Sequence, residues 1–450
     1  MTRAPKSTTA KKTDPKTAPP PKWATTLRAL RHRNFQLFFS GQLISLTGTW
    51  MQSVAQAWLV YRLTKSALLL GTVGFASQIP VFLFAPLGGI TADRVNRQRL
   101  VIATQTASMI LAGILAWLTL RGHLNVHVWP IFLLAGLLGV VNAFDIPGRQ
   151  AFLIDMVGKE DLMNAIALNS SMFNGARVVG PAVAGILVAR IGEGWCFAAN
   201  AISYVAVIIG LLLMKVRSVP RISNRSPIED IIEGFRWVNR TKIIRSLLFL
   251  IGLVSLVGMP YTVLMPVFAD KILHGGARGL GILMGATGVG ALFGALTLAA
   301  KTGIKGLGRW VTITCATLGI SLFLFSFSTS FWLSAALLLP CGYSMMLQMA
   351  CSNTLIQTIV PDHLRGRVMS LYSMMFMGMA PFGAFFGGAL ANRIGAPMTV
   401  AIGGIACVLG AIWFGRALPE LRIEARRLIV AQGLAGGEPV QELNAQPVEE

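Results

Sequence analysis

The chain has 450 residues, 54% of them hydrophobic and 13% charged, with 39 Lys and Arg against 18 Asp and Glu. A soluble domain carries about 25% charged residues, so this little polar surface cannot cover so much apolar sequence in water, and the solvent implied is a bilayer. The net charge of +21 would suggest nucleic acid only if it lay in one patch, and it is spread along the chain.

Residues 1–30 are polar and rich in Pro and Lys, with no apolar stretch of signal-peptide type, and are expected to form a disordered basic tail. A spanning helix needs about 20 mostly apolar residues. The first half offers six such runs, at 34–62, 66–91, 98–120, 127–147, 163–190 and 194–214. The first run carries Gln42, Ser45, Thr49, Gln52 and Gln56 at spacings of three or four. These residues share one helix face, and a polar face cannot meet lipid cheaply. It either lines a cavity or hydrogen-bonds another helix.

Between the second and third runs lies GGITADRVNRQR, Gly88 to Arg99, where one acid and three arginines interrupt apolar sequence. Gly88 and Gly89 would let that helix end approach a neighbour closely. Arginines alone could set orientation, but that leaves Asp93 unexplained. NAFDIPGRQAF places Asp145 and Arg149 about the end of the fourth run. The fifth run holds Asn169, Ser170, Asn174 and Arg177, then Gly180, Pro181 and Gly185 among small residues. Arg177 lies about 22 Å along the helix from Leu162 at 1.5 Å per residue. An unpaired arginine at such depth costs at least about 2.5–3.5 kcal/mol, so it faces the interior. There it binds an anionic or carbonyl-rich substrate, or donates to backbone carbonyls.

Residues 215–243 form the longest polar interruption and read as a linker between a bundle at 31–214 and a second at 244–416. The second bundle has runs at 244–269, 278–300, 308–328, 331–357, 368–392 and 396–416, and residues 417–450 follow as a tail. Methionines gather in its fourth and fifth runs, Met345, Met346, Met349, Met369, Met374, Met375, Met377 and Met379. They fill core gaps or offer an adaptable apolar surface. All five cysteines sit in apolar runs without metal or disulfide spacing. No metal site, cofactor motif, phosphate-binding glycine loop or nucleophile–base cluster is evident, so neither an enzyme nor a nucleotide-driven pump is expected.

Sorting the loops by parity puts 31 Lys and Arg on one side with both termini, and 7 on the other. The positive-inside rule then places both termini in the cytoplasm and removes any need for a nucleic-acid partner. Residues 157–192 also align with 360–395 at a constant offset of 203, ending in Arg-Ile-Gly in both copies. The copies lie six helices apart, so the two halves run in the same sense through the membrane. An all-α integral membrane protein of twelve helices in two parallel six-helix repeats is the expected fold, and transporters are built this way.

The stretch G-I-T-A-D-R-V-N-R-Q-R resembles the loop 2–3 motif of the major facilitator superfamily, departing from it at Asn96 and Gln98. The resemblance extends over about residues 30–416 through RNFQLFFSGQLISLTGTWMQ, PGRQAFLIDMV and LMNAIALNSSMFNGARVVGPAVAGIL. These stretches look like the bacterial branch that includes the enterobactin exporter and macrolide efflux proteins. The segment around Gly180, Pro181 and Gly185 resembles that superfamily's exporter motif. The resemblance implies a monomeric secondary transporter of the bacterial inner membrane. Its cargo would be a small amphipathic molecule, siderophore or drug-like, exported in exchange for protons. Gly89, Asp93, Arg94 and Arg97 would form a gate, with Asp93 facing the start of the eleventh helix and Arg94 meeting Asp145, beside Arg149. Gln42, Ser45, Thr49, Gln52, Gln56, Asn169, Asn174 and Arg177 are the expected cavity residues. A facilitated importer or a lipid-handling transporter of the same fold fits the same residues.

Overall fold

The computed structural model describes residues 27–125, 127–216, 227–300 and 306–434. Most of the N-terminal tail, the first part of the linker and the last residues of the C-terminal tail lie outside that set. Every regular element among the described residues is helical. The first lobe contains α1 (Arg33–Thr64), α2 (Ala67–Arg94), α3 (Arg97–Leu120), α4 (Trp129–Val157), α5 (Leu162–Ile191) and α6 (Glu193–Leu213). After a short linker helix, Pro227–Arg240, the second lobe contains α7 (Lys242–Ile272), α8 (Gly276–Ala300), α9 (Leu307–Phe327) and α10 (Phe331–Ile359). It continues with α11, in two stacked segments (Asp362–Met377 and Met379–Ile394), and α12 (Ala396–Leu434).

Eleven of these helices are long and apolar enough to cross a membrane, and α1 is the exception. Its amides and hydroxyls dilute its hydropathy, yet it is 32 residues long and packs against α5 and α6 as a full member of its lobe. Two helices outrun the expected boundaries by ten residues or more. α12 continues past 416 to Leu434, and α4 continues past 147 to Val157 with Pro147 inside it. A proline within a helix frees the carbonyl four residues back. Here that carbonyl belongs to Ala143, and Gly88 of α2 packs directly against it, so closely that any side chain at 88 would overlap the oxygen.

The repeat is visible in packing. Buried Val101, Thr104, Ala112 and Leu115 of α3 correspond to buried Val311, Thr314, Leu322 and Phe325 of α9, at an offset of 210. From α4 onward the offset is 203, because the connection between third and fourth helices is shorter in the second half. The seam between lobes obeys both offsets. Gly185 of α5 meets Gly281 of α8, and Gly388 of α11 meets Gly71 of α2. A Cβ at Gly185 would lie 2.8 Å from the Gly281 Cα, and one at Gly388 would lie 2.8 Å from the Gly71 Cα. Inside a bilayer no hydrophobic force drives helices together, so close approach through small residues supplies the attraction.

Candidate functional site

The lobes touch along only half of their seam. The glycine contacts start near Lys65, whose ammonium pairs with Asp270 of the other lobe at 2.7 Å. They continue to mid-membrane, where Gly378 meets Phe82 and Gly288 meets the Arg177 carbonyl. That carbonyl is the one freed by Pro181. Toward loop 2–3 the surfaces part. Along the seam-facing stripe of α5, Gly185 and Pro181 are buried, whereas Ala167 and Met163 are exposed, Met163 at 77%.

A cavity of about 500 Å³ lies between the lobes at the level where the contacts stop. From α1 it takes Thr49, Gln52 and Gln56, together with Trp50 and Ser53. Arg177 and Pro181 come from α5, and Asn200 and Tyr204 from α6. The polar wall is braced internally. Asn200 Nδ2 donates to Gln52 Oε1 at 2.7 Å, and the Thr49 and Tyr204 hydroxyls are 3.4 Å apart. The Arg177 guanidinium lies 5.6 Å from the centre of the Trp50 ring, a cation–π distance.

Four expected cavity residues are elsewhere. Gln42 and Ser45 are buried inside the first lobe, because α1 turns that part of its polar stripe toward α4. Asn174 donates back to the Ser170 carbonyl at 2.9 Å on the parted stripe, and Asn169 does not reach the cavity wall. Conversely, Asn200 and Tyr204 were legible as polar residues four apart in an apolar run. Asn142, three residues before Asp145, also lines the cavity.

The loop 2–3 residues are arranged differently from the expectation. The close approach belongs to Gly88, and Gly89 has no neighbour within reach of a Cβ. Arg94 is exposed and makes no ion pair among the described residues. Asp145 cannot serve it, because its carboxylate is already occupied. Arg97, 5% exposed, is the arginine that meets an acid of α4, and the acid is Asp155, at 3.0 and 3.1 Å. Asp93 stays at the surface, 3.7 Å from Arg97. The two departures from the family pattern have structural roles. The Asn96 side chain caps α3 by accepting from the Arg99 N–H at 3.0 Å, as an N-cap residue does, and Gln98 Nε2 donates to the Leu211 carbonyl at 2.6 Å.

Asp145 is buried within the lobe at 3% exposure, not at a helix end, because α4 continues for about 18 Å beyond it. Its Oδ1 accepts from Thr104 at 2.7 Å and Gln105 at 2.9 Å, and its Oδ2 pairs with Arg149 Nε at 2.6 Å. Arg149 in turn donates to Gln42 Oε1 at 3.1 Å. The network ties α1, α3 and α4 together, and Tyr204 of the cavity wall is within electrostatic reach of both charges. The glycine pair of the fifth helix divides its work. Gly180 packs on Trp50 and the Thr47 carbonyl within its lobe, while Gly185 packs on the other lobe.

A family model described as "transmembrane secretion effector", of the major facilitator type, matches residues 24–432. The chain belongs to that family. Its members are transporters rather than enzymes, and the chain is accordingly a multi-pass, small-molecule transporter of the inner membrane. The staphyloferrin A transporter of Staphylococcus aureus is 29% identical over 394 residues, which is 86% of this chain and 97% of that one. The enterobactin exporter of Escherichia coli O1:K1 is 25% identical over 410 residues, covering 90% and 96%. In fold, the chain is similar to a POT family transporter solved with 5-aminolevulinic acid, with a TM-score of 0.69 at 10% identity over 86% and 96% of the two chains.

Proposed function

We propose that this transporter exports a small amphipathic molecule of siderophore or drug-like type across the bacterial inner membrane, by alternating access and in exchange for protons. One observation carries the reading: a polar-walled cavity lies between lobes that are sealed on one side of it and parted on the other. The excess of positive charge around loop 2–3 supports a cytoplasmic position for the parted side and both termini, a reading in which this conformer receives cargo from within. The names of two relatives, a staphyloferrin A transporter and an enterobactin exporter, support a siderophore as cargo.

In the alternate state the loop 2–3 end closes and the Lys65–Asp270 end opens. Asp93 and Arg94, at the surface here, are then the latch across the lobes, and Arg97 on Asp155 keeps their backbone in place. Thr49, Gln52, Gln56 and Arg177 hold the cargo. Asp145 is the proton-exchanging carboxylate, set behind Tyr204 and paired with Arg149. One chain completes the cavity, so the monomer is the working unit.

Everted membrane vesicles loaded with the chain test this reading. On acidifying the vesicle interior, radiolabelled metal-free enterobactin or staphyloferrin A is expected to accumulate inside, and a protonophore to abolish the accumulation. Counterflow without any gradient requirement would instead establish facilitated uptake.

A further inference from the structure

The two lobes furnish the cavity with different chemistry. The first lobe contributes every amide of the wall, among them Gln52, Gln56, Asn142 and Asn200, alongside apolar residues such as Val60, Leu138 and Ile146. The second contributes mainly apolar groups, Met259, Val263, Met284 and Met377, with Thr262 and Thr287 between them. Arg177 is the one formal charge in the wall, and no carboxylate accompanies it. It makes no ion pair or side-chain hydrogen bond among the described residues, and its guanidinium carbon lies over the Trp50 ring, 5.6 Å from the centroid. A cation–π contact holds the charge beside the ring without giving its N–H donors a polar acceptor. Two of the wall's amides, Gln52 and Asn200, are engaged with each other at 2.7 Å.

An arginine at this depth without a partner is unfavourable, and an anion arriving in the cavity relieves that cost while gaining charge-assisted, bidentate hydrogen bonds. The volume, about 500 Å³, falls in the range of about 300–1,000 Å³ that holds drug-sized ligands. Building on the transporter reading above, we infer that the cargo is an amphiphilic anion. Its carboxylate or equivalent oxyanion sits on Arg177 beside Trp50 in the first lobe, and its apolar body lies against Met259, Met284 and Met377 of the second. Thioethers are soft and conformationally adaptable, so the apolar half tolerates varied shapes while the anionic end is read strictly. The cargo thereby bridges the lobes, and its two ends must move with different rigid bodies when they rock.

Calorimetric titration of the purified transporter in nanodiscs tests the inference with a matched pair of probes, 2-naphthoylglycine and its neutral carboxamide. The carboxylate is expected to bind about tenfold more tightly than the amide. In Arg177→Gln that preference should collapse to within about twofold, with Arg177→Lys retaining part of it as a point charge. Met259→Ala combined with Met284→Ala should weaken both probes by several-fold and leave the ratio unchanged. Equal binding of the two probes to the wild type, or a preference that survives Arg177→Gln, would overturn the anionic half. Unchanged affinities in the methionine variant would overturn the apolar half. Size-exclusion profiles and the retained binding of the amide separate loss of the site from loss of the fold. Because binding here needs no gradient, an intact carboxylate preference without proton-driven accumulation would refute the export reading and leave the anion site standing.

Discussion

Asp145 of α4 and Gln348 of α10 occupy the same position of the repeat, 203 residues apart, and both are at least 97% buried, but they are surrounded very differently. Around Asp145 stand Thr104, Gln105 and Arg149, and each contributes to a network built on a charged pair. Around Gln348 the corresponding residues are Thr314, Cys315 and Ser352. The Ser352 hydroxyl finds no hydrogen-bond partner among the described residues, and the Gln348 amide has only the weakly bonding Cys315 thiol beside it. Where Gln42 reaches Arg149, the second lobe has Gly252 against the Met375 methyl. Duplication thus preserved the backbone frame, the glycine seam and the burial pattern, while the electrostatics were kept in only one copy. The first lobe holds the charge and all the amides of the cavity wall, and the second contributes a mainly apolar share that includes the three methionines. In the cycle proposed above, rocking would use the shared frame and proton exchange the unshared part.

Removing one partner sharpens the contrast most. Asp145→Leu strands Arg149 inside the lobe, and breaking a buried pair in this way costs about 3–5 kcal/mol. Arg149 is 23% exposed, so the lower end is expected, read as a large drop in thermal midpoint in detergent together with loss of transport. Adding Arg149→Met should restore most of the midpoint but not the transport, and a double variant as unstable as the single one would contradict the pairing. The seam comes next. Gly185→Val drives a side chain into the Gly281 backbone, and overpacking of this kind costs about 1–3 kcal/mol. The penalty falls on the conformer closed at the Lys65–Asp270 end, so the population should shift away from it and turnover should fall, as measured by vesicle uptake. Gln348→Leu has the smallest effect. Replacing a buried amide whose one polar neighbour is a weakly bonding thiol by an apolar group of similar size is nearly neutral or stabilising, so its midpoint should equal or slightly exceed that of the wild type. A loss as large as that of Asp145→Leu would show that the second lobe carries a polar network of equal weight.

Much of this was legible in the sequence for physical reasons that act locally. Apolar runs announce spans, and a lone arginine in the middle of one must face the interior, as Arg177 does. The 203-residue repeat was legible in α5 and α11 because the glycines that seam the lobes cannot vary without separating them. What depended on long-range pairing was not legible. Pro147 reads as a helix end, and only the packing of Gly88 on the freed Ala143 carbonyl explains why α4 continues and buries Asp145. Choosing Asp155 over Asp145 as the acid for loop 2–3, and Arg97 over Arg94 as its partner, requires the register of α3 on α4. The split of the α1 polar stripe, with Gln42 and Ser45 in the lobe and Thr49, Gln52 and Gln56 in the cavity, follows from where its neighbours end.

The most direct test of two lobes rocking about the cavity is a pair of spin-label distances taken on the same variants. The native cysteines are all buried, so labels at exposed positions can be added selectively, as Val95→Cys with His363→Cys at the loop 2–3 end and Arg121→Cys with Lys271→Cys at the other. Going from wild type to Gly185→Val in nanodiscs, the Val95–His363 distance is expected to shorten while the Arg121–Lys271 distance lengthens. Two distances that lengthen together, or that both stay fixed, would contradict alternating access by rigid lobes.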